Sequence, residues 1–245
     1  MKRFKLVVAY DGTHYCGWQS QPNGVTVEGV LNQKLRELLK EDIQVIGASR
    51  TDSGVHALGN VAVFDSETTI PGEKLSYALN QRLPKDIVVQ HSCQVADDFH
   101  PRHCDSRKTY EYQIYNAQFE NPLYSRYSHF VFIPLRIEAM QKAAEIIKGE
   151  HDFKSFCSSR GQQLTTVRTV YDLDVTKEGS MVKIRVSGNG FLYNMVRIIV
   201  GTLIKVGLGV YPPEYVQEIL DAKDRTKAGP KVPAKGLKLI GIEYL

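Results

Sequence analysis

An aspartate in a polar turn is the first candidate for chemistry in this 245-residue chain. The segment Ser49-Arg50-Thr51-Asp52-Ser53-Gly54-Val55-His56-Ala57 separates two apolar runs that read as strands, and a loop on strand ends is where a rigid scaffold exposes reacting groups. Asp52 offers a carboxylate that can act as a nucleophile. The same Asp-Ser-Gly is also good turn chemistry, so a purely structural Asx turn fits these residues too. The second candidate is Arg197, the only charge between Arg185 and Lys205. A guanidinium in so apolar a segment needs a carboxylate or phosphate, because removing one member of a buried pair costs ~3–5 kcal/mol. An internal ion pair that only orients the core meets the same need. The third candidate is the cluster Lys223, Arg225, Lys227, Lys231, Lys235 and Lys238, set against Asp221 and Asp224; it suits phosphates or a solvated surface.

Three rival chemistries share these residues. Gly47-Ala48-Ser49-Arg50-Thr51 resembles a Gly-x-Ser-x-Gly nucleophile elbow near His56, but its last position is a β-branched Thr51 and a loop follows instead of a helix. His91, Cys93, His100, His103 and Cys104 are metal-ligand types; only His100-x-x-His103 has a ligand-like spacing, with no second pair, so no metal site is expected. A non-catalytic RNA-binding module suits a strand-rich chain, but the Gly-Phe-rich ribonucleoprotein signature is absent.

Positioning these groups requires a scaffold, and its elements are partly readable. Arg3–Tyr10 reads as a strand closed by Asp11-Gly12. Thr26 is a candidate N-cap for a helix whose stripe is Val27, Val30, Leu31, Leu35, Leu38 and Leu39. Ile43–Ala48, Asn60–Phe64 and Asp86–Val95 read as strands, with Leu75, Leu79 and Leu83 marking a helix between the last two. Lys108–Asn116 and Ser128–Ile133 read as strands and Arg136–Lys148 as a helix. Thr169–Val175 shows Tyr171, Leu173 and Val175 alternating with Asp172 and Asp174, and a turn at Glu178-Gly179-Ser180 leads to Val182, Ile184 and Val186. Phe191–Ile204 is apolar almost throughout; at about 14–16 residues it is too short for the ~20 that span a bilayer, so a buried central helix is expected. The expected architecture is α+β in two similar halves, 1–104 and 105–245, with a cleft between them.

Composition agrees with a globular protein. Apolar residues make up 42% and charged residues 24%, with a net charge of +4, which excludes a disordered or collagen-like chain. Four cysteines without a Cys-x-x-Cys argue against a disulfide framework and for a reducing cytoplasm. The apolar run Leu6–Tyr10 is too short for an export signal.

Several segments together resemble the tRNA pseudouridine synthase A family. They are Tyr10-Asp11-Gly12 with Gly17-Trp18-Gln19, Arg50 to Ala57, Phe99-His100-Pro101-Arg102, Lys108-Thr109-Tyr110, Gly188 to Arg197, Ala222-Lys223-Asp224-Arg225 and Ala228-Gly229-Pro230, in family order. The resemblance implies the two-half α+β fold with mixed sheets, a homodimer, and isomerisation of uridine in the anticodon stem-loop of tRNA, at family positions 38–40. It assigns Asp52 as nucleophile, Arg50 and Arg197 as the arginines around it, and Tyr110 as the ring that stacks on the target base. Arg102, His100 and Lys108 fall to substrate binding. The reaction imports no group and changes no redox state, so no cofactor and no metal is expected, and no membrane partner. Ser49, His103-Cys104-Asp105 and Glu111 depart from the common family pattern, and Glu111 beside Tyr110 is expected to bear on which uridine or tRNA is preferred.

Overall fold

The computed structural model describes residues 1–158 and 165–245. It divides into two compact units, Met1–Ser106 with Lys238–Leu245, and Arg107–Leu237.

The first unit is built on β1 (Lys2–Tyr10), whose alternate residues Phe4, Leu6, Val8 and Tyr10 are buried. Helix α1 (Val27–Leu39) starts where Thr26 accepts the Gly29 N–H, and it buries Val27, Leu31 and Leu35. After it come β2 (Ile46–Gly47), β3 (His56–Ser66), α2 (Leu75–Asn80) and β4 (Ile87–Val95). Strand β1 lies between β3 and β4, antiparallel to both, and β2 pairs with β3. The expected strand over Ile43–Ala48 shrinks to two residues. Its backbone is claimed by α1 instead: Arg36 Nε donates to the Ile43 carbonyl (2.9 Å) and Asn32 Oδ1 accepts the Val45 N–H (2.7 Å).

The second unit contains β5 (Ser106–Asn116), β6 (His129–Val131), α3 (Ile137–Ile147), β7 (Gly149–Asp152), β8 (Val167–Glu178), β9 (Met181–Gly188), α4 (Met195–Gly207) and α5 (Tyr215–Ala222). Strands β5, β9, β8 and β7 pair antiparallel in that order, and β6 joins β5 in parallel. The β8–β9 hairpin turns at Gly179, which takes φ +56°. In β8 a bulge between Val170 and Asp172 breaks the expected alternation. Val170 is buried in place of Tyr171, whose ring is 39% exposed and lies under the Arg107 guanidinium.

Helix α4 buries every residue except Lys205 and packs against α3. The expected buried helix therefore exists, but it begins at Met195, after a left-handed Asn194. Among the described residues, no helix is long and apolar enough to cross a membrane. The last strand, β10 (Leu237–Tyr244), is parallel to β3, with Lys238 opposite His56. Lys238–Leu245 therefore belongs to the first unit, whereas the sequence pattern places all of 105–245 in one half. The fold class is α+β with mixed pairing, as expected.

Candidate active site

The loop carrying Asp52 is gripped on both sides. On one side, Asn60, fully buried in β3, donates through Nδ2 to the Ser49 carbonyl (3.0 Å) and accepts the Ser49 N–H at Oδ1 (3.3 Å). Tyr10 Oη lies 2.7 Å from Thr51 Oγ1. On the other, the Trp18 N–H donates to the Thr51 carbonyl (3.0 Å), and the Gly54 N–H and Ser53 Oγ donate to the Tyr15 carbonyl. The turn closes from the Val55 N–H to the Asp52 carbonyl at 3.1 Å, with Gly54 at φ +77°. Two glycines make this packing possible. A Cβ on Gly17 would meet the Thr51 carbonyl at 2.6 Å, and one on Gly12 would overlap the Val55 carbonyl. The motif Tyr10-Asp11-Gly12…Gly17-Trp18 is thus the brace of the Asp52 loop. Ser49 is buried, held through both of its backbone groups, and no helix follows it, so it is no nucleophile elbow.

Within the same unit, cations lie beside the strand that feeds the Asp52 loop, and Asp52 itself is half-buried. Arg102 Nε donates to the Gly47 carbonyl at 2.7 Å, which anchors the 99–102 turn to the strand feeding the loop. Burial, then the like charge of the exposed Arg50, lowers the Arg102 pKa, while Glu28 opposes this. Two guanidiniums that repel one another form a site suited to an anion. His100 accepts the Arg102 N–H at Nδ1 and stacks on His103 with ring centres 3.8 Å apart. Burial first, then the charges of His103 and Arg102, hold the His100 pKa below its ordinary range. The turn is fixed from behind by Tyr244, whose Oη donates to the Pro101 carbonyl (3.2 Å), and by Arg3, whose Nη1 donates to the Phe99 carbonyl (3.1 Å).

Arg3 in turn is held by Asp65 through two bonds of 2.8 and 2.7 Å. That bonding places the Asp65 carboxyl below the usual carboxylate range. Its contribution is therefore complete above the unfolded pKa and lost as pH falls through the lowered folded value. Because the pair is partly exposed, the loss is expected to reach at most about 1 kcal/mol. Thermal denaturation between pH 2 and 5 checks it: Asp65→Asn removes this part of the acid sensitivity.

The remaining predicted residues belong to the second unit. Lys108 and Tyr110 lie on one face of β5, opposite Gly188 and Val186 of β9. Tyr110 is 8% exposed, and its ring meets Phe191 edge-on at 5.3 Å. Glu111 points to the other face, opposite Arg185 in the β-ladder, which gives the acidic departure from the family pattern a cation across the strand. Arg197, 9% exposed, donates from Nε to the Val232 carbonyl (2.8 Å) and from Nη1 to Asn194 Oδ1 (3.0 Å). The Ala228–Val232 strap that supplies the carbonyl is pressed onto α4. Gly229 donates to Thr202 Oγ1 (2.9 Å), and a Cβ on Gly201 would overlap the Pro230 carbonyl.

Sequence reasoning missed Asn60, Phe191, Asn194 and the strap as site residues; the closely spaced glycines were the available signal for the brace and the strap. The basic cluster is only partly available for phosphates. Lys223 pairs with Asp152 (3.1 Å) and Lys235 lies 3.9 Å from Glu120. Among the described residues, no three His, Cys, Asp or Glu side chains are grouped to hold a metal ion.

A family model described as tRNA pseudouridine synthase matches residues 6–103 and 143–244. The chain belongs to the tRNA pseudouridine synthase family. The family match contains Arg50, Asp52, His100, Arg102 and Arg197, and it leaves Lys108 and Tyr110 in the stretch between its two parts. A protein of Thermoanaerobacter sp. named tRNA pseudouridine synthase A is 50% identical over 244 residues, covering all of both chains. The proteins of that name from Ruminiclostridium cellulolyticum and Brevibacillus brevis are 49% and 48% identical, again over all of both chains. Among solved structures, a chain of a Cbf5-Nop10-Gar1 complex aligns with 96% of this chain and 47% of its own length, at 14% identity and a TM-score of 0.34, too distant for its geometry to bear on this site.

Proposed function

We propose that the protein isomerises uridine to pseudouridine in the anticodon stem-loop of tRNA, at positions 38–40, with Asp52 as nucleophile and Arg50 and Arg197 as the arginines serving it. The observation that carries this reading is the family match through both units, which includes Asp52 on a loop braced from two sides. In the reaction the N1–C1′ bond breaks, the uracil turns, and C5 bonds to C1′; C5 gives up a proton and N1 gains one. An ionised carboxylate supplies the electron pair, either to C1′ or to C6 of the base. The target must leave its stack, and Arg102, Arg50, His100 and Lys108 supply donors for the displaced phosphates. A homodimer and a cytoplasmic setting accompany this reading, the latter in keeping with four scattered cysteines that form no Cys-x-x-Cys. Light scattering tests the dimer.

The direct test incubates the protein with unmodified tRNA transcripts and maps pseudouridine at single-nucleotide resolution. Conversion at 38–40 is expected; conversion confined to other regions of the tRNA overturns the positional assignment.

Tyr110 is proposed to stack on the detached base, an interaction worth ~1–3 kcal/mol. Tyr110→Phe is then expected to keep tRNA affinity within about twofold, whereas Tyr110→Ala weakens it by roughly 5-fold to 100-fold on that energy scale. Equal losses in filter-binding assays would refute stacking.

A further inference from the structure

Asn194 stands where an asparagine ordinarily caps a helix. A capping residue has extended backbone and gives its side-chain oxygen to a backbone N–H two or three residues on. Asn194 does neither: it takes φ 61° and ψ 7°, and its side chain makes no cap bond to α4. Its Oδ1 accepts instead from Arg197 Nη1 at 3.0 Å. Since the amide end facing a guanidinium N–H must be the oxygen, the other end is Nδ2. That nitrogen is buried without a hydrogen-bond partner, in a residue only 5% exposed. A left-handed backbone, an uncapped helix start and an orphaned donor are each unfavourable. A residue selected for stability alone would avoid all three: glycine suits the backbone, and serine or aspartate in an extended conformation suits the cap. The favourable contact that the side chain does make is the one to Arg197.

We propose that Asn194 is a positioning residue whose amide oxygen, with the Val232 carbonyl, sets the plane of the Arg197 guanidinium for the reaction. A planar group held at two of its nitrogens has one orientation. Without the Asn194 oxygen, the guanidinium loses the acceptor that fixes its Nη1 edge. The inference rests on the proposed role of Arg197 at the reacting centre and extends it to a residue that acts through Arg197.

The test compares wild type, Asn194→Gly and Asn194→Asp with an unmodified tRNA transcript, measuring the single-turnover rate at saturation, tRNA affinity and melting temperature. Glycine keeps the left-handed backbone and removes the amide. Its rate is expected to fall by about tenfold or more, the scale of one hydrogen bond to a charged group, with affinity within about twofold and a melting temperature close to wild type, because relief of the left-handed backbone and of the orphaned amide offsets the bond that Arg197 Nη1 loses. Aspartate restores an acceptor oxygen and is expected to recover rate relative to glycine. A wild-type rate in Asn194→Gly overturns the proposal, as does an equal fall in both variants accompanied by a lower melting temperature, which marks a structural role. Lost affinity with an intact rate at saturation also overturns it, placing Asn194 on the RNA. If Arg197→Met is fully active, the role of Arg197 itself fails; if Arg197→Met is inactive and Asn194→Gly is not, only the positioning role of Asn194 fails.

Discussion

Asp52→Asn is expected to reduce the single-turnover rate by at least about a thousandfold, the scale of an essential catalytic group, while tRNA affinity and melting temperature stay near wild type. The separation follows from how the loop is held. Several of its bracing bonds run through backbone groups, the Ser49 amide and carbonyl to Asn60, the Thr51 carbonyl to Trp18 and the Asp52 carbonyl to Val55, and others through the Thr51 and Ser53 hydroxyls. An amide at residue 52 leaves these in place and keeps the side chain's size. What it removes is the negative charge and with it the nucleophile. Turnover above about a thousandth of the wild-type rate would end the assignment of Asp52 on the same scale. A large fall in melting temperature would show instead that the carboxylate holds the loop.

The site residues that could be read from sequence are those whose chemistry conflicts with their surroundings. Arg197 is conspicuous because it interrupts an apolar run, and Asp52 because a polar turn interrupts two strands. Regular elements with one buried face were equally readable, such as β1 through Phe4, Leu6, Val8 and Tyr10, and α1 through Thr26 and its stripe. What escaped depends on distant partners. Strand β10 carries Lys238, Gly241 and Glu243 and so lacks a clean apolar alternation; β3 pairs with its start in parallel, at Lys238 and Leu239, a pairing that no local pattern encodes. Ile43–Ala48 has strand-forming residues, yet Arg36 and Asn32 take backbone groups that a ladder would need. Tyr171 shares the period of Leu173 and Val175, and a single bulge sends it to the other face. Asn194 looks like an ordinary helix cap in sequence, and only its φ and its bond to Arg197 reveal a different use.

Arg197→Met carries the second large expectation, because one substitution acts on stability and on rate by routes that pH can separate. Methionine approximates the length of the arginine stem but donates no hydrogen bond, so the Val232 carbonyl and Asn194 Oδ1 lose the donors that now reach them at 2.8 and 3.0 Å. Stranding a buried acceptor costs ~1–3 kcal/mol, and the melting temperature is expected to fall at every pH. The effect on rate has a different signature if Arg197 is the charge partner proposed for Asp52. Loss of a nearby cation raises a carboxylate pKa, by roughly 1–3 units for a close pair. Since the nucleophile works only when ionised, the acidic limb of the pH–rate profile must then move upward. Activity at neutral pH falls, and raising the pH returns part of it while the stability loss remains. Single-turnover rates from pH 5 to 9, on protein shown to be folded at each pH, provide the measurement. An acidic limb unchanged from wild type would refute the pairing, and Arg197 would then serve to fasten the Ala228–Val232 strap to α4 through the Val232 carbonyl.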